Sequence, residues 1–351
     1  MSKRILIAPL NWGLGHATRC IPIVNALLKF GFDPIIASDG NALSLLQKEF
    51  PNLKSIELPS YNITYSKNGS HLKLKLLKDA PKILKAIKKE HLVIEDLVTK
   101  NKIDGIISDN RFGVCSKTVP SVYITHQLHV LSGSTTFISS KLHQKIIRKF
   151  DECWVPDFEE HNNLSGKLGH LKNLNVSIKY IGALSRFKKI DLPKTYNVIA
   201  ILSGPEPQRT LLENKLLLEL NNYSGNVILV KGVIEHEQQI ITQNNLTIYN
   251  FMTSTELQTA INESDLVLSR SGYTTIMDLV KLEKKAFFIP TPGQFEQEYL
   301  AKKFKKENIA PFCNQNDFFV EKLQEAKNYK GFSPIKSKTN YKELFSLFER
   351  E

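Results

Sequence analysis

Short β-rich runs alternate with longer helical patterns along almost the whole chain, and this alternation restricts the possible folds more than any other feature. Strands that alternate with helices are typical of α/β proteins with largely parallel sheets. In the first half the predicted strands are residues 4–10, 34–38, 53–58, 103–108, 122–125, 153–155 and 178–181, and the helical patterns include residues 18–30 and 41–49.

The same alternation starts again after residue 190. At about 150 residues per domain, a chain of 351 residues is long enough for two domains. The apolar pattern lapses over residues 184–193, so we predict one Rossmann-like domain at 1–187 and a second at 188–351. The second half has predicted strands at 196–202, 227–230, 246–249, 266–269 and 286–290 and predicted helices at 207–220, 254–262, 272–281 and 295–306.

The charge is distributed unevenly between the two halves. Residues 1–190 hold 28 Lys and Arg against 15 Asp and Glu, whereas residues 191–351 hold 19 against 20. All the excess positive charge therefore lies in the first half, which indicates an anionic partner for that half. We expect a phosphorylated substrate or an anionic membrane surface rather than nucleic acid, since no RRM-like aromatic motif or zinc finger is present.

The segment from Lys67 to Lys102 is the most basic part of the chain, with ten Lys against four acidic residues. One interpretation is a helix whose lysines face solvent while an apolar stripe packs on the core. We expect Pro81 to break or kink this helix. The other is a surface that docks on anionic lipid. The stripe at helical spacing consists of Leu72, Leu76, Ile83 and Ile87.

The four cysteines are scattered, without a CxxC pair, which fits a reducing compartment and gives no metal or redox motif. The apolar run at the N-terminus is too short for a signal peptide, and no stretch reaches the ~18 apolar residues of a membrane span. We therefore expect a cytoplasmic protein, peripheral at the inner face of the membrane. The cysteines are Cys20, Cys115, Cys153 and Cys313.

In open parallel sheets the ligand binds beyond the carboxyl ends of the strands, so two such domains predict a site in the cleft between them. The first strand runs into a glycine-rich loop with Gly13, Gly15 and His16. A dinucleotide site is one interpretation, with Asp39 after the second strand, although Thr18 stands at the third glycine position. We favour His16 as a base that reaches a substrate hydroxyl from the tip of this loop over a helix cap or a packed imidazole.

Polar residues also follow two later strands of the first half. Asp109 ends one of them, where a carboxylate can orient and stabilise a histidine on a neighbouring loop or simply cap a turn. His126 and His129 follow the next strand at a metal-like spacing. No further ligand cluster is evident, so we interpret them as the wall of a polar pocket.

In the second half the most specific stretch is SRSGYTTIMD at residues 269–278, where Gly272 opens a helix after a strand. The N–H groups of that helix can bind a diphosphate, and Asp278 can accept hydrogen bonds from a ribose diol. Ser203 and Gly204 form another strand-to-helix turn, and it lacks the pattern of an ATP-type P-loop. The loop at 290–298 combines Pro and Gly with amide and acid groups suited to sugar hydroxyls.

These motifs together resemble the GT-B glycosyltransferases of the MurG-like kind, the family 28 transferases that act on nucleotide sugars. GLGHATR at 13–19 resembles the first glycine-rich loop of the family, and THQ at 125–127 resembles its His-Glu-Gln-Asn loop, with Gln127 in the place of Glu. The stretch at 269–278 resembles the donor motif, with Asp278 in the place of Glu. FEQEYLA at 295–301 resembles the Gln-Gln segment, and the resemblance covers nearly the whole chain.

The resemblance implies a UDP-sugar donor bound by the second domain, with the backbone near Phe251 at the base, and a glycan or lipid-linked acceptor on the first. His16 is then the general base with Asp109 behind it, and the terminal helix at 341–351 packs back on the first domain. The implied donor residues are Ser203, Gly204, Phe251, Arg270, Gly272, Tyr273, Thr274, Asp278, Gln294, Glu296 and Gln297, and the implied acceptor-side residues are Gly13, Gly15, Arg19, His126 and Gln127.

We therefore expect an inverting glycosyltransferase that moves an N-acetylhexosamine or hexose without a metal or other cofactor. The chain has no Asp-x-Asp pair of the kind that holds a divalent ion in metal-dependent sugar transferases. Two alternatives remain open. One is a nucleotide-sugar hydrolase or epimerase on the same scaffold, in which His16 activates water, and the other is a non-catalytic nucleotide-sugar-binding subunit.

Overall fold

The computed structural model describes residues 2–62, 72–160, 162–171, 174–204, 206–233, 235–335 and 339–349, and of residues 72–79 it describes the backbone only. The chain divides into two compact units. The N-terminal unit comprises Met1–Ile63, Leu76–Leu184 and Lys336–Glu351, and the C-terminal unit contains Ser185–Ile335. Each unit has its own sheet.

The N-terminal unit is built on a seven-stranded sheet in which every pairing is parallel. The central strands are almost entirely apolar and buried, as expected for a parallel sheet covered on both faces. The strand order is β3-β2-β1-β4-β5-β6-β7. The strands are β1 (Arg4–Pro9), β2 (Asp33–Ser38), β3 (Ser55–Glu57), β4 (Gly105–Asp109), β5 (Ser121–Ile124), β6 (Glu152–Val155) and β7 (Ser177–Tyr180).

Four helices connect these strands. Their inner faces supply aliphatic side chains to the core, such as Ile21 and Val24 of the first helix and Ile94 of the third. The third helix is continuous through Pro81, so of the predicted break or kink at this proline the break is wrong. Residues 63–71, which include the start of the basic segment, lie outside the described residues. The helices are α1 (Gly15–Lys29), α2 (Gly40–Glu49), α3 (Leu72–Thr99) and α4 (Thr136–Ile147).

The C-terminal unit has a six-stranded sheet in the order β10-β11-β9-β8-β12-β13, parallel except for the antiparallel pair β10 and β11. That edge strand was not predicted, because its four residues are exposed and carry no burial pattern. The strands are β8 (Tyr196–Ile201), β9 (Val227–Val230), β10 (Ile240–Gln243), β11 (Leu246–Tyr249), β12 (Ser264–Ser269) and β13 (Lys285–Phe288), and the helices are α5 (Gln208–Leu220), α6 (Ser254–Asn262), α7 (Tyr273–Leu282) and α8 (Phe295–Lys306).

The last helix, α9 (Tyr341–Glu349), belongs to the N-terminal unit. Phe345 packs edge-on against Phe32 at a centroid distance of 5.6 Å, and Phe348 lies 6.3 Å from Trp154. Gly105 at the start of β4 makes room for this helix, because a Cβ there would lie 2.5 Å from Cδ1 of Phe348. The aromatic pattern at the C-terminus therefore completes the core of the first unit.

All four cysteines are buried and unbonded to one another. Within the described residues, no helix is both long enough and apolar enough to cross a membrane.

Candidate functional site

His16 and Asp109 come together at the carboxyl ends of β1 and β4, which are neighbouring strands of the first sheet. Nδ1 of His16 lies 2.8 Å from Oδ1 of Asp109, so the predicted contact is present. His16 is not at a loop tip, as we expected, but is the second residue of α1. The turn before it requires a left-handed backbone at Gly13, with φ +79°, which glycine adopts without strain.

Arg19 approaches the same carboxylate from the next turn of α1. Its Nε donates to Oδ2 of Asp109 at 2.5 Å, and its Nη2 donates to Oδ1 and lies 2.9 Å from Nδ1 of His16. Nη1 of Arg19 also lies 3.3 Å from Nδ1 of His126. Arg19 and His126 are only 2% and 5% exposed. Arg19 therefore holds Asp109 and His16 from the interior, with His126 beside it, and the acceptor-side role of Arg19 and His126 stays a prediction.

The charges in this cluster keep Asp109 ionised. Burial alone raises the pKa of the Asp109 carboxyl, but the positive charge of Arg19 and the contact with His16 outweigh it and hold this pKa well below its usual range. Burial lowers the pKa of His16, and Arg19 lowers it further, while Asp109 offsets only part of this effect. His16 is therefore neutral near pH 7, which is the state a general base requires.

In the tautomer with Nδ1 protonated, His16 donates to the ionised carboxylate of Asp109. The lone pair then lies on Nε2, the nitrogen that can accept a proton from a substrate. The side chain of His16 is 17% exposed while that of Asp109 is fully buried. The arrangement is thus an oriented imidazole over a buried, ionised acid, the geometry that His–Asp pairs have in acid–base catalysis.

His126 and His129 do not converge on one ligand. His126 faces Arg19, whereas Nδ1 of His129 lies 3.4 Å from the hydroxyl of Ser140. Gln127 donates its backbone N–H to the hydroxyl of Thr125. In the part of the chain that the structure describes, no group of three His, Cys, Asp or Glu residues is arranged to hold a metal ion.

Asp39, the residue that suggested a dinucleotide site, is already engaged in the interior. Arg111 donates to it at 2.6 Å and also to Glu90, and Asn11 donates to its second oxygen at 3.1 Å. Asp39 is 4% exposed. A ribose hydroxyl could reach this carboxylate only by breaking a buried ion pair, so the dinucleotide interpretation is not supported.

In the C-terminal unit, two strand-to-helix turns present open backbone. Ser203 and Gly204 after β8 are exposed, and Gly204 has a φ of +104° with nothing near the position of a Cβ. Gly272 is the residue before α7, and a Cβ there would meet only the Thr275 hydroxyl, at 4.0 Å. A ligand can therefore approach the N-terminus of α7, where the helix dipole favours an anion.

Arg270, which the sequence suggested for the nucleotide-sugar site, is buried and makes hydrogen bonds within the C-terminal unit. It is 1% exposed, and its guanidinium donates to the carbonyls of Gln208, Ile289 and Pro290 and to the side chain of Gln315. Burial lowers the pKa of Arg270 to about 9. These hydrogen bonds connect the loop after β13 to the first residue of α5.

Asp278 lies on α7 and already accepts a hydrogen bond from the hydroxyl of Ser185 at 2.6 Å. Burial raises the pKa of Asp278 to about 6, while Ser185 and the positive charge of Arg186 oppose the rise. Ser185 and Arg186 were assigned only to the linker, since the run SRFKKIDLP carries no apolar pattern. Their position soon after a predicted strand was the one signal that could have placed them in a site.

The loop after β13 is held by the side chains that follow it. Gln297 accepts the Thr291 N–H at 2.8 Å, and Glu298 accepts the Gly293 N–H at 3.1 Å. Gln297 was expected to face the sugar, but its side-chain oxygen is used to shape the loop. Gln294 precedes α8 and Glu296 lies in its first turn, both partly exposed at the same edge of the unit.

The backbone of Phe251, which we expected at the nucleotide base, also has partners within the unit. Its N–H donates to the side chain of Asn250 at 2.9 Å, and its carbonyl accepts from Gln238 at 3.0 Å. A carbonyl oxygen has two lone pairs and can accept a second hydrogen bond. The N–H group, in contrast, would have to exchange its partner to bind a base.

Comparisons with known proteins identify the kind of enzyme. Residues 206–344 match the glycosyltransferase family 28 C-terminal domain. The chain is 23% identical, over 90% of its length and 88% of the relative, to the Clostridium botulinum UDP-N-acetylglucosamine--N-acetylmuramyl-(pentapeptide) pyrophosphoryl-undecaprenol N-acetylglucosamine transferase. It is 24% identical, over 84% of its length and 81% of the relative, to an uncharacterized glycosyltransferase of Methanosarcina acetivorans.

This chain is a glycosyltransferase with the GT-B fold, similar to the MurG-like members of family 28. Among solved structures, MurG of Acinetobacter baumannii covers the whole chain with a TM-score of 0.57 at 14% identity. A spinosyn rhamnosyltransferase covers 99% of this chain and 95% of its own with a TM-score of 0.63 at 12% identity. At these identities the structures establish the fold, and the donor and acceptor are a separate question for this glycosyltransferase.

Proposed function

We propose that this glycosyltransferase moves an N-acetylhexosamine or hexose from a UDP-sugar to an acceptor hydroxyl, with inversion and without a metal ion. The observation that carries the proposal is the His16–Asp109 pair. A neutral imidazole held by an ionised carboxylate can take the hydroxyl proton as the acceptor oxygen attacks the anomeric carbon, and the nucleoside diphosphate leaves. Inversion follows when one displacement completes the transfer.

The proposed donor site is the carboxyl edge of the second sheet. The exposed turn at Ser203 and Gly204 and the open N-terminus of α7 at Gly272 are suited to the diphosphate. Tyr273 and Thr274 begin that helix, and Asp278 follows within its second turn at ~1.5 Å rise per residue. In this proposal the ribose diol donates to the carboxylate of Asp278, either in place of the Ser185 hydroxyl or beside it. Gln294 and Glu296 bind the sugar.

The proposed acceptor is a glycan or a lipid-linked saccharide bound by the N-terminal unit. Support comes from the Clostridium botulinum relative, whose name gives a pyrophosphoryl-undecaprenol as the acceptor. The net positive charge of residues 1–190 is suited to an acceptor that carries phosphates. The proposal places the enzyme at the inner face of the membrane and assigns it no resident cofactor.

A thermal-shift screen with nucleotide sugars tests the donor. A donor at 100 times its Kd is expected to stabilise the protein by ~2.7 kcal/mol. Stabilisation by UDP-sugars, but not by TDP- or GDP-sugars at equal concentration, supports the proposal, and the reverse order contradicts it. Incubation of the preferred donor without acceptor then tests the hydrolase alternative, because rapid stoichiometric release of free sugar would contradict transfer to a hydroxyl.

A further inference from the structure

The residue directly after Asp109 has a left-handed backbone. Asn110 has a φ of +59°, a conformation that is costly for most side chains and that glycine adopts without strain. Because of this turn, Asp109 reaches His16 while Arg111, two residues later, is fully buried in the interior. Asparagine tolerates such a turn better than most residues. The contacts of the Asn110 side chain therefore decide whether it does more than permit the turn.

The side chain of Asn110 bridges two neighbouring strands. Its Nδ2 donates to Oδ1 of Asp109 at 3.3 Å, and its Oδ1 accepts the hydroxyl of Tyr123 at 3.1 Å. Tyr123 lies on β5, which pairs with β4, and is fully buried. A carboxylate only accepts hydrogen bonds, so the amide nitrogen must face Asp109 and the amide oxygen is left for Tyr123. Both ends of the amide are thereby fixed.

The oxygen of Asp109 that Asn110 contacts is the one that His16 contacts. The other oxygen, Oδ2, lies 2.5 Å from Nε of Arg19 and 3.6 Å from Sγ of Cys20. Nη2 of Arg19 also donates to Oδ1. An arginine that donates to both oxygens draws the carboxylate into the plane of its guanidinium. Asn110 adds a second, rigidly held donor at Oδ1, which resists this movement.

We propose that Asn110 is a positioning residue whose amide, held by Tyr123, keeps Oδ1 of Asp109 directed at Nδ1 of His16. The importance of this for turnover rests on the proposed function, in which His16 is the base. A neutral amide is suited to the task, because a cation in its place would add to the charge of Arg19, which already lowers the pKa of His16. The competing explanation is that Asn110 serves only the left-handed turn.

Asn110→Gly separates the two explanations, because glycine keeps the left-handed turn and removes the amide. The first readout is an NMR titration of labelled histidines, in which the His16 signal is assigned with H16Q. His16 is faced by Asp109, Arg19 and His126, and of these only Asp109 favours the imidazolium form. Loss of its orientation should lower the titration midpoint of His16, whereas a role in the turn alone leaves the midpoint in place.

Tyr123→Phe is the second variant, since it keeps the buried ring and removes only the hydroxyl that holds the amide. The midpoint of His16 should move in the same direction by a smaller amount. Unchanged midpoints in both variants would overturn the proposal. This readout needs neither donor nor acceptor.

The second readout is turnover with the UDP-sugar and acceptor that the tests of the proposed function establish. Asn110→Gly should lower kcat about tenfold, as expected for one hydrogen bond to a charged group, with the KM for the UDP-sugar unchanged. Asn101→Gly is the matched control, because Asn101 is also left-handed, with φ +50°, but is exposed and precedes β4. It should turn over like the wild type, and equal losses in the two glycine variants would overturn the proposal.

The positioning role and the proposed function fail separately. If His16→Ala retains turnover while the midpoint of His16 moves in Asn110→Gly, the orientation by Asn110 stands and the base is wrong. If His16→Ala loses turnover while Asn110→Gly matches the wild type in midpoint and kcat, the base stands and the positioning role is wrong.

Discussion

Nδ1 of His16 lies 2.8 Å from the carboxylate of Asp109, a residue 93 positions further along the chain. The two side chains meet because β1 and β4 are adjacent parallel strands whose carboxyl ends share one edge of the sheet, with Pro9 and Asp109 in register. The contact links the glycine-rich loop to the acid in the interior and fixes the orientation of the imidazole.

The role of this pair as base and orienting acid can be measured directly. His16→Ala is expected to reduce kcat by ~10²–10⁴ with little change in donor affinity, because the imidazole acts on the acceptor hydroxyl. Asp109→Asn is expected to give a smaller loss in the same parameter. Steady-state kinetics with a titration of the UDP-sugar checks both variants. Near-normal turnover of His16→Ala would show that His16 is not the general base.

Arg19 is expected to set the pH at which the base becomes protonated. His16 is faced by Asp109, Arg19 and His126, and Arg19 lowers the pKa of His16. Activity should therefore fall as the pH drops below the ordinary histidine range, and Arg19→Gln should shift this acidic limb to higher pH because the opposing charge is removed. Arg19→Lys, which retains the charge, should leave the limb closer to that of the wild type.

The pH profile of kcat/KM checks this prediction. Arg19→Gln leaves Asp109 buried without its main partner, which costs ~3–5 kcal/mol, so its folding is verified by circular dichroism first. An acidic limb at the wild-type position in a folded Arg19→Gln variant would show that Arg19 supports the fold without tuning His16.

Asp278 is expected to make donor binding dependent on pH. With a pKa of about 6, its carboxylate becomes protonated as the pH falls from 7 to 5, and the protonated form is a weaker acceptor for a ribose diol. Asp278→Ala should weaken UDP-sugar binding about tenfold or more, since a hydrogen bond to a charged group contributes roughly 1.5–3 kcal/mol. Asp278→Glu should be tolerated better.

Isothermal titration at pH 5 and pH 7.5 measures this dependence, with a UDP-sugar rather than UDP so that the ligand charge stays constant. Asp278→Asn is the control, because it retains the shape of the side chain and cannot ionise. Equal affinities of the wild type and Asp278→Ala at pH 7.5 would mean that the nucleotide does not contact this helix position.

The same residue should reduce stability at neutral pH. The pKa of Asp278 is higher in the folded than in the unfolded chain, so the folded state holds more protons between about pH 4 and pH 6, and stability falls as the pH rises through that window. Asp278→Asn removes this loss and should gain up to about 3 kcal/mol at pH 7.5 and little at pH 4. Denaturant unfolding at the two pH values checks the prediction, and a gain of the same size at both would contradict it.

Gly105 tests the packing of the C-terminal helix. A Cβ in Gly105→Ala would lie 2.5 Å from Phe348 and 2.9 Å from Ile5, so the variant should lose about 1–3 kcal/mol of stability. Gly272→Ala, where a Cβ would meet only the Thr275 hydroxyl at 4.0 Å and φ is −71°, is the control and should lose about 1 kcal/mol or less, because Ala is a poorer N-cap than Gly. Phe348→Leu combined with Gly105→Ala should recover part of the loss, and strictly additive effects would contradict direct contact.

Most strands and helices could be predicted from the sequence because their burial patterns are local. The predicted strands at 227–230 and 246–249 and the predicted helices at 254–262 and 295–306 have the observed bounds. Helix α4 was missed because its outer face is apolar where an amphipathic helix is expected to be polar, so no regular stripe was visible. The exposed strand β10 was missed for the opposite reason, since none of its residues is buried.

The sequence by itself determined the class of enzyme, because the spacing of glycines, His16, Asp109 and the motif at 269–278 depends on strand-to-helix turns that are coded locally. Only the tertiary structure decided which hydrogen-bond partner each polar side chain takes. Arg19, Arg270 and Gln297 have side chains suited to a ligand, yet packing directs them to Asp109, to backbone carbonyls and to a loop N–H. The physical reason is that a buried charge or amide must find a partner, and the nearest one is set by contacts between residues far apart in the chain.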